Sequence, residues 1–170
     1  MILNENQKNI LNRLKEMIDL NEKPTSKFVM DVCAAFDGHI LTSLHGMGGT
    51  RIVISHPTKD DMVLKIAFNK DGIEGNKDEY EAYVNAPDDV KAFLGEVGDL
   101  LEESILLEMK SYESISDEEF EDYSHQLENI LSKINFIYYQ DPPYFHSFGL
   151  NEAGELVLID YGETEKFNLR

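Results

Sequence analysis

Three short apolar runs lie between residues 40 and 67, too close together for a helix to fit between any two of them. They are Ile40-Leu41-Thr42, Arg51-Ile-Val-Ile54 and Met62-Val-Leu-Lys-Ile-Ala67. The turns between them are a glycine-rich segment, His45-Gly-Met-Gly-Gly-Thr50, and Pro57 to Asp61. Parallel neighbours need a crossover of about a dozen residues or more. The spacing therefore predicts an antiparallel meander, and the rest of the fold must be built around it.

Helical periodicity flanks the meander on both sides. Leu3, Ile10, Leu11, Leu14, Met17 and Ile18 share one stripe and predict a helix over 4–20, broken by Asn21 to Pro24. Thr25 or Ser26 can cap a second helix running to Phe36, before Asp37-Gly38 turns the chain. After the meander, Asn69 to Gly75 reads as a loop and Asn76 to Asn85 as a short helix. Phe93 to Val97 and Glu103 to Met109 read as a strand pair joined by Gly98 to Glu102. Ser116-Asp-Glu-Glu119 has the form of a capping box, in which serine and glutamate satisfy each other's free backbone amides. The helix that it opens carries Phe120, Tyr123, Leu127, Ile130, Leu131 and Ile134 and stops at Gln140 to Pro143. Phe148 to Leu150 and Glu155 to Ile159 form a hairpin around Asn151 to Gly154.

The formal charge of −18, from 33 acidic and 15 basic residues, excludes more than it assigns. Nucleic-acid backbones and anionic membranes are both bound through lysine and arginine, so neither is an expected partner. An acidic surface either keeps the chain soluble by self-repulsion or occupies a basic groove on another protein. No apolar run approaches the roughly 18 residues that would span a bilayer. The single cysteine, Cys33, stands among Val32, Ala34 and Ala35 and reads as a small buried hydrophobe. His39, His45, His56 and His125 show no metal-ligand spacing and read as surface or turn residues. Tyr138, Tyr139 and Tyr144 read as packing. A reducing cytoplasm is the expected compartment.

Three features could carry chemistry. Gly46, Gly48 and Gly49 would let the backbone approach a phosphate closely and aim its amides at it. Lys65 sits inside an otherwise apolar strand, where an ammonium is costly to bury without an anionic partner. Glu79 or Glu81 on the following helix could supply that partner. Asp160 ends the apolar run Leu156-Val-Leu-Ile159 and precedes Tyr161-Gly162. A carboxylate fixed there by a strand suits a hard cation such as Mg²⁺. Asp141, upstream of Asp160, completes the order used in kinase-type phosphoryl transfer, a proton-accepting aspartate followed by a metal-binding one.

Four segments, in order, resemble the protein-kinase-like superfamily: Gly46-Met-Gly-Gly-Thr-Arg51, Val63-Leu-Lys65, Gly72-Ile-Glu-Gly-Asn76-Lys-Asp-Glu79 and Leu158-Ile-Asp160-Tyr-Gly162. The nearest likeness is to small kinase-like proteins of bacteriophages. The resemblance runs from Gly38 to Gly162 and implies an α+β, kinase-like domain over 38–170, preceded by a helical segment over 1–37. It implies an antiparallel N-lobe sheet with one helix, a hinge near Glu108-Met109-Lys110, and a truncated helical C-lobe. It makes Lys65 the phosphate lysine, Glu79 its helix partner, Asp160 the metal ligand and Asp141 the catalytic aspartate, with ATP and Mg²⁺ as cofactors. Glu108 and Met109 would border the nucleotide, as would Gly46, Gly48 and Gly49.

The departures shape the functional expectation. The family has histidine or tyrosine, then arginine, before the catalytic aspartate; here Tyr139-Gln140 precede Asp141. Five residues on, the family has a metal-binding asparagine; here that position is His146, and imidazole is a poor Mg²⁺ ligand. Pro142 and Pro143 stiffen the loop, and Glu163 to Arg170 leave little chain for an activation segment. The expectation is a pseudokinase, acting in a bacterial cytoplasm by binding a partner protein with a basic surface. A phage or mobile-element inhibitor of a host factor fits it, and in that role ATP and Mg²⁺ could be dispensable. The alternatives are a minimal Mg-ATP-dependent phosphotransferase and a nucleotide-binding regulator.

Overall fold

The computed structural model describes residues 1–41, 50–134 and 147–161. The chain divides into two compact units, Met1–Asn76 with Gly98–Met109, and Lys77–Val97 with Lys110–Arg170.

The first unit begins with two helices whose starts are set by local chemistry. In α1 (Glu5–Asp19), Asn4 accepts the Gln7 amide at 2.9 Å and the Gln7 side chain accepts the Asn4 amide at 2.9 Å. In α2 (Ser26–Ala35), Thr25 is the cap and accepts the Phe28 amide at 3.2 Å. Their apolar stripes meet strands β1 (Arg51–Ser55) and β2 (Met62–Ala67) in one core that includes Leu11, Leu14, Val32, Phe36, Ile52, Ile54, Leu64 and Ile66. Cys33 is buried in it, as its apolar neighbours predict, and burial pushes its thiol above the usual range.

β1 and β2 pair antiparallel, with Ile52 opposite Ile66 and Val53 opposite Lys65. Of the expected first strand, the described residues show an antiparallel bridge from Ile40 to Ile54, with the Leu41 amide donating to the Val53 carbonyl and the Ser55 amide to the His39 carbonyl; Thr42 lies outside them. Strands β3 (Val97–Leu101) and β4 (Leu106–Lys110) complete a four-stranded sheet in the order β1-β2-β4-β3.

Two boundaries differ from the sequence reading. Helix α3 spans Lys70–Asn85 and takes in residues expected to form a loop. Gly72 and Gly75 are not breakers there. A Cβ at Gly72 would lie 2.4 Å from the Thr50 carbonyl oxygen, so only glycine lets the helix lie this close to the strand. The β3–β4 connection also falls later than expected. Gly98 lies within the strand, where a side chain would press on the Glu108 carboxylate and Met62 at 3.0 Å. The turn is instead made by Glu102, Glu103 and Ser104, all with left-handed backbone (φ 51°, 56° and 70°). Such residues cost about 1–2 kcal/mol each, and the buried side chain of Asn76 braces the turn by donating to the Ser104 and Ile105 carbonyls at 2.9 and 3.1 Å.

In the second unit, α4 (Asp88–Lys91) follows Pro87. Strands β5 (Glu113–Ser114), β6 (Phe148–Leu150) and β7 (Leu156–Leu158) form a three-stranded antiparallel sheet. The capping box forms as read, with the Glu119 amide donating to Ser116 Oγ at 3.3 Å and the Ser116 amide to Glu119 at 3.0 Å. The helix that it opens is segmented into α5 (Asp117–Phe120), a 3-10 turn (Glu121–Tyr123) and α6 (Ser124–Ile134). The β6–β7 hairpin forms as the sequence predicts, and its register places Phe148 opposite Leu158.

Candidate functional site

Alternation along the strands of the first unit gives its sheet two distinct faces. Ile52, Ile54, Leu64, Ile66 and Leu106 point into the helix-covered core. Val53, Val63, Lys65 and Ala67 therefore point the other way, and so do Leu107 and Met109 on β4, next to β2. Lys65 is 5 % exposed, Met109 1 % and Leu107 0 %. The lysine and Met109, both singled out in the sequence, thus share one apolar face on neighbouring strands.

Glu108 belongs to the opposite face, and its side chain is committed there. The carboxylate accepts Lys59 Nζ at 2.6 Å and His56 Nε2 at 3.1 Å, and the Met1 amino group lies 3.9 Å away. The Thr58 amide donates to His56 Nδ1 at 3.2 Å, so Nδ1 is an acceptor and Nε2 carries the proton given to Glu108. Burial alone would raise the Glu108 carboxyl, but the hydrogen bonds from Lys59 and His56 outweigh it and hold the group below the usual carboxylate range. Lys59 is raised in turn, first by its hydrogen bond to Glu108. His56 is therefore not a surface residue. The turn from Pro57 folds it inward, and no local pattern announces a carboxylate on a strand so distant in sequence. At Glu108, only the backbone remains to border a ligand.

In the second unit, Glu79 on α3 is fully buried and Asp160 is exposed at the end of the β7 strand. Between β7 and the end of the described segment the backbone is tightly fastened. The Ile159 and Asp160 amides both donate to the Ser147 carbonyl, at 2.7 and 3.2 Å, and the Leu158 amide donates to Phe93 at 2.9 Å. Tyr161, next to Asp160, is 1 % exposed and donates its hydroxyl to the Gly95 carbonyl at 2.8 Å. Its phenol is pushed well above the usual tyrosine range, first by burial and then by the charge of Glu79 and the phenols of Tyr83 and Tyr112. Glu79 and Tyr161 are thus electrostatic neighbours.

Gly46, Gly48, Gly49 and Asp141 lie outside the described residues, as do His45, Tyr138, Tyr139, Tyr144 and His146. Among the described residues, no group of three or more His, Cys, Asp or Glu side chains could hold a metal ion, and no helix is long and apolar enough to cross a membrane. Asp160 is a single exposed carboxylate, and Mg²⁺ commonly takes one or two carboxylates with water and phosphate oxygens in its remaining positions. Comparison with known proteins finds no matching family model, no matching curated protein and no matching solved structure.

Proposed function

We propose that this chain is a kinase-like, nucleotide-binding protein that acts on a partner protein rather than as an efficient phosphotransferase. The observation that carries the reading is Lys65, a lysine only 5 % exposed on an apolar sheet face separate from the hydrophobic core. Val53, Val63, Leu107 and Met109 give that face the apolar character that suits a planar base, and a lysine beside them is the group that the kinase-like reading assigns to phosphate oxygens. Within the second unit, the exposed Asp160, on a fastened backbone, is the carboxylate that the kinase-like reading assigns to Mg²⁺. When bound, the metal would neutralise phosphate charge. The excess of acidic residues favours a partner with a basic surface.

Thermal denaturation with Mg·ATP tests nucleotide binding. A ligand at a hundredfold above its dissociation constant stabilises by about 2.7 kcal/mol, roughly 5–10 °C for a chain of this size. Wild type should shift and Lys65→Met should not. An unshifted wild type at millimolar Mg·ATP would remove the nucleotide from the account. Labelled-phosphate transfer by wild type but not by Asp141→Asn would favour the phosphotransferase reading, to which the solvent-facing Asp160 lends support.

A further inference from the structure

The Gly95–Glu96 peptide in the second unit is gripped on both sides by tyrosine hydroxyls. Tyr161 donates to the Gly95 carbonyl at 2.8 Å, and the Glu96 amide donates to Tyr112 Oη at 2.9 Å. Carbonyl and amide of one trans peptide point in opposite directions, so the two hydroxyls approach from opposite edges and fix its orientation. The same segment is a hub. The Gly95 amide donates to the Leu158 carbonyl at 2.7 Å, and the Lys110 amide donates to the Glu96 carbonyl at 2.8 Å. Leu94 and Leu158 form a parallel bridge. Three stretches distant in sequence meet there: residues 93–96, the chain after β4 at Lys110 and Tyr112, and the end of β7 leading to Asp160.

An exposed carboxylate gains nothing in its own hydration from a buried tyrosine beside it. The tyrosine fixes the backbone that carries it. Phenylalanine at 161 would fill the same apolar space but would leave the Gly95 carbonyl without its donor.

We propose that Tyr161 and Tyr112 are positioning residues for Asp160: their hydroxyls clamp the Gly95–Glu96 peptide and thereby hold the backbone at Asp160 in one geometry. For a metal this means a carboxylate set before the ion arrives, with little ordering left to do on binding. The metal half of the inference rests on the nucleotide reading above; the clamp does not.

The test uses the full chain and its Tyr161→Phe and Tyr112→Phe variants, with amide hydrogen exchange, urea denaturation and Mn²⁺ binding measured for each. In Tyr161→Phe, the Asp160 and Glu96 amides should exchange at least tenfold faster, beyond what any change in global stability explains. Leu64 and Ile66 in the first unit should be unaffected. Tyr112→Phe removes the acceptor of the Glu96 amide and should speed that amide at least as much, while moving the Asp160 amide by a smaller factor. Mn²⁺ should bind Tyr161→Phe at least threefold more weakly than wild type. If the Asp160 amide stays within twofold of wild type in both variants, the clamp is wrong. If exchange accelerates while Mn²⁺ affinity is unchanged, the tyrosines do not position the ligand. A wild type that fails to bind millimolar Mn²⁺ overturns the metal reading, and exchange alone then decides the clamp.

Discussion

In the unit made of Met1–Asn76 and Gly98–Met109, the Glu108 carboxylate is sealed from solvent and met by His56 and Lys59. In the unit made of Lys77–Val97 and Lys110–Arg170, the Asp160 carboxylate faces solvent, and it is the backbone beneath it that is secured. Each arrangement fixes a negative charge, with opposite consequences. A buried carboxylate must have its oxygens satisfied from within, because an unpaired charge there is strongly destabilising. Glu108 meets that need with a lysine and a histidine of fixed tautomer, so its chemistry is spent on holding the strand edge together. Asp160 is exposed instead, and an exposed carboxylate on a secured backbone can serve a ligand. Burial of a charged group therefore does not by itself mark a working site. Lys65 is separated from Glu108 by its setting, on the sheet face away from the helix-packed core.

The contrast can be broken most forcefully in the core of the first unit. Leu14 is fully buried where α1 meets the sheet, and Leu14→Ala should lose about 3 kcal/mol by urea denaturation. A loss below about 1 kcal/mol would mean that α1 is not part of that core. The next effect concerns Glu108. Its carboxyl is depressed in the folded state, so the stability that it supplies is present above the ordinary carboxylate pKa of about 4.3 and is lost as pH falls through the folded value. Glu108→Gln should therefore lower stability by about 2 kcal/mol at neutral pH, the scale of hydrogen bonds to a charged group. The gap to wild type should close as the pH is taken well below that range. Equal gaps at pH 7 and at pH 3 would show that the charge is irrelevant. The smallest effect belongs to the second unit, where Ser116→Ala removes one cap and should cost about 1 kcal/mol, read as faster exchange in the first turn of α5.

Much of the fold was legible because it is written in local patterns. The stripes of α1 and α2, the alternation of β1 and β2, the Ser116–Glu119 box and the β6–β7 hairpin all depend on neighbours within a few residues. The misplaced boundaries of α3 and β3 came from glycine. Gly72, Gly75 and Gly98 look like punctuation in the sequence, but at Gly72 and Gly98 their role is to admit the Thr50 carbonyl and the Glu108 carboxylate. The turn of three left-handed residues at Glu102 to Ser104 contains no glycine, so nothing local announced it. Of the candidate site, Lys65 was legible as a charge in an apolar strand. The commitment of Glu108 to His56 and the grip of Tyr161 on Gly95 join residues 52 and 66 apart and have no one-dimensional signature.

The central claim is that the Lys65 face receives a nucleotide, and titration calorimetry tests it most directly. Mg·ATP added to the wild-type chain should give a saturable heat, weakened at least tenfold in Lys65→Met, while Glu108→Gln, measured at a pH where it remains folded, binds as wild type does. No saturable heat from wild type at millimolar Mg·ATP, or equal binding by Lys65→Met, would contradict the account.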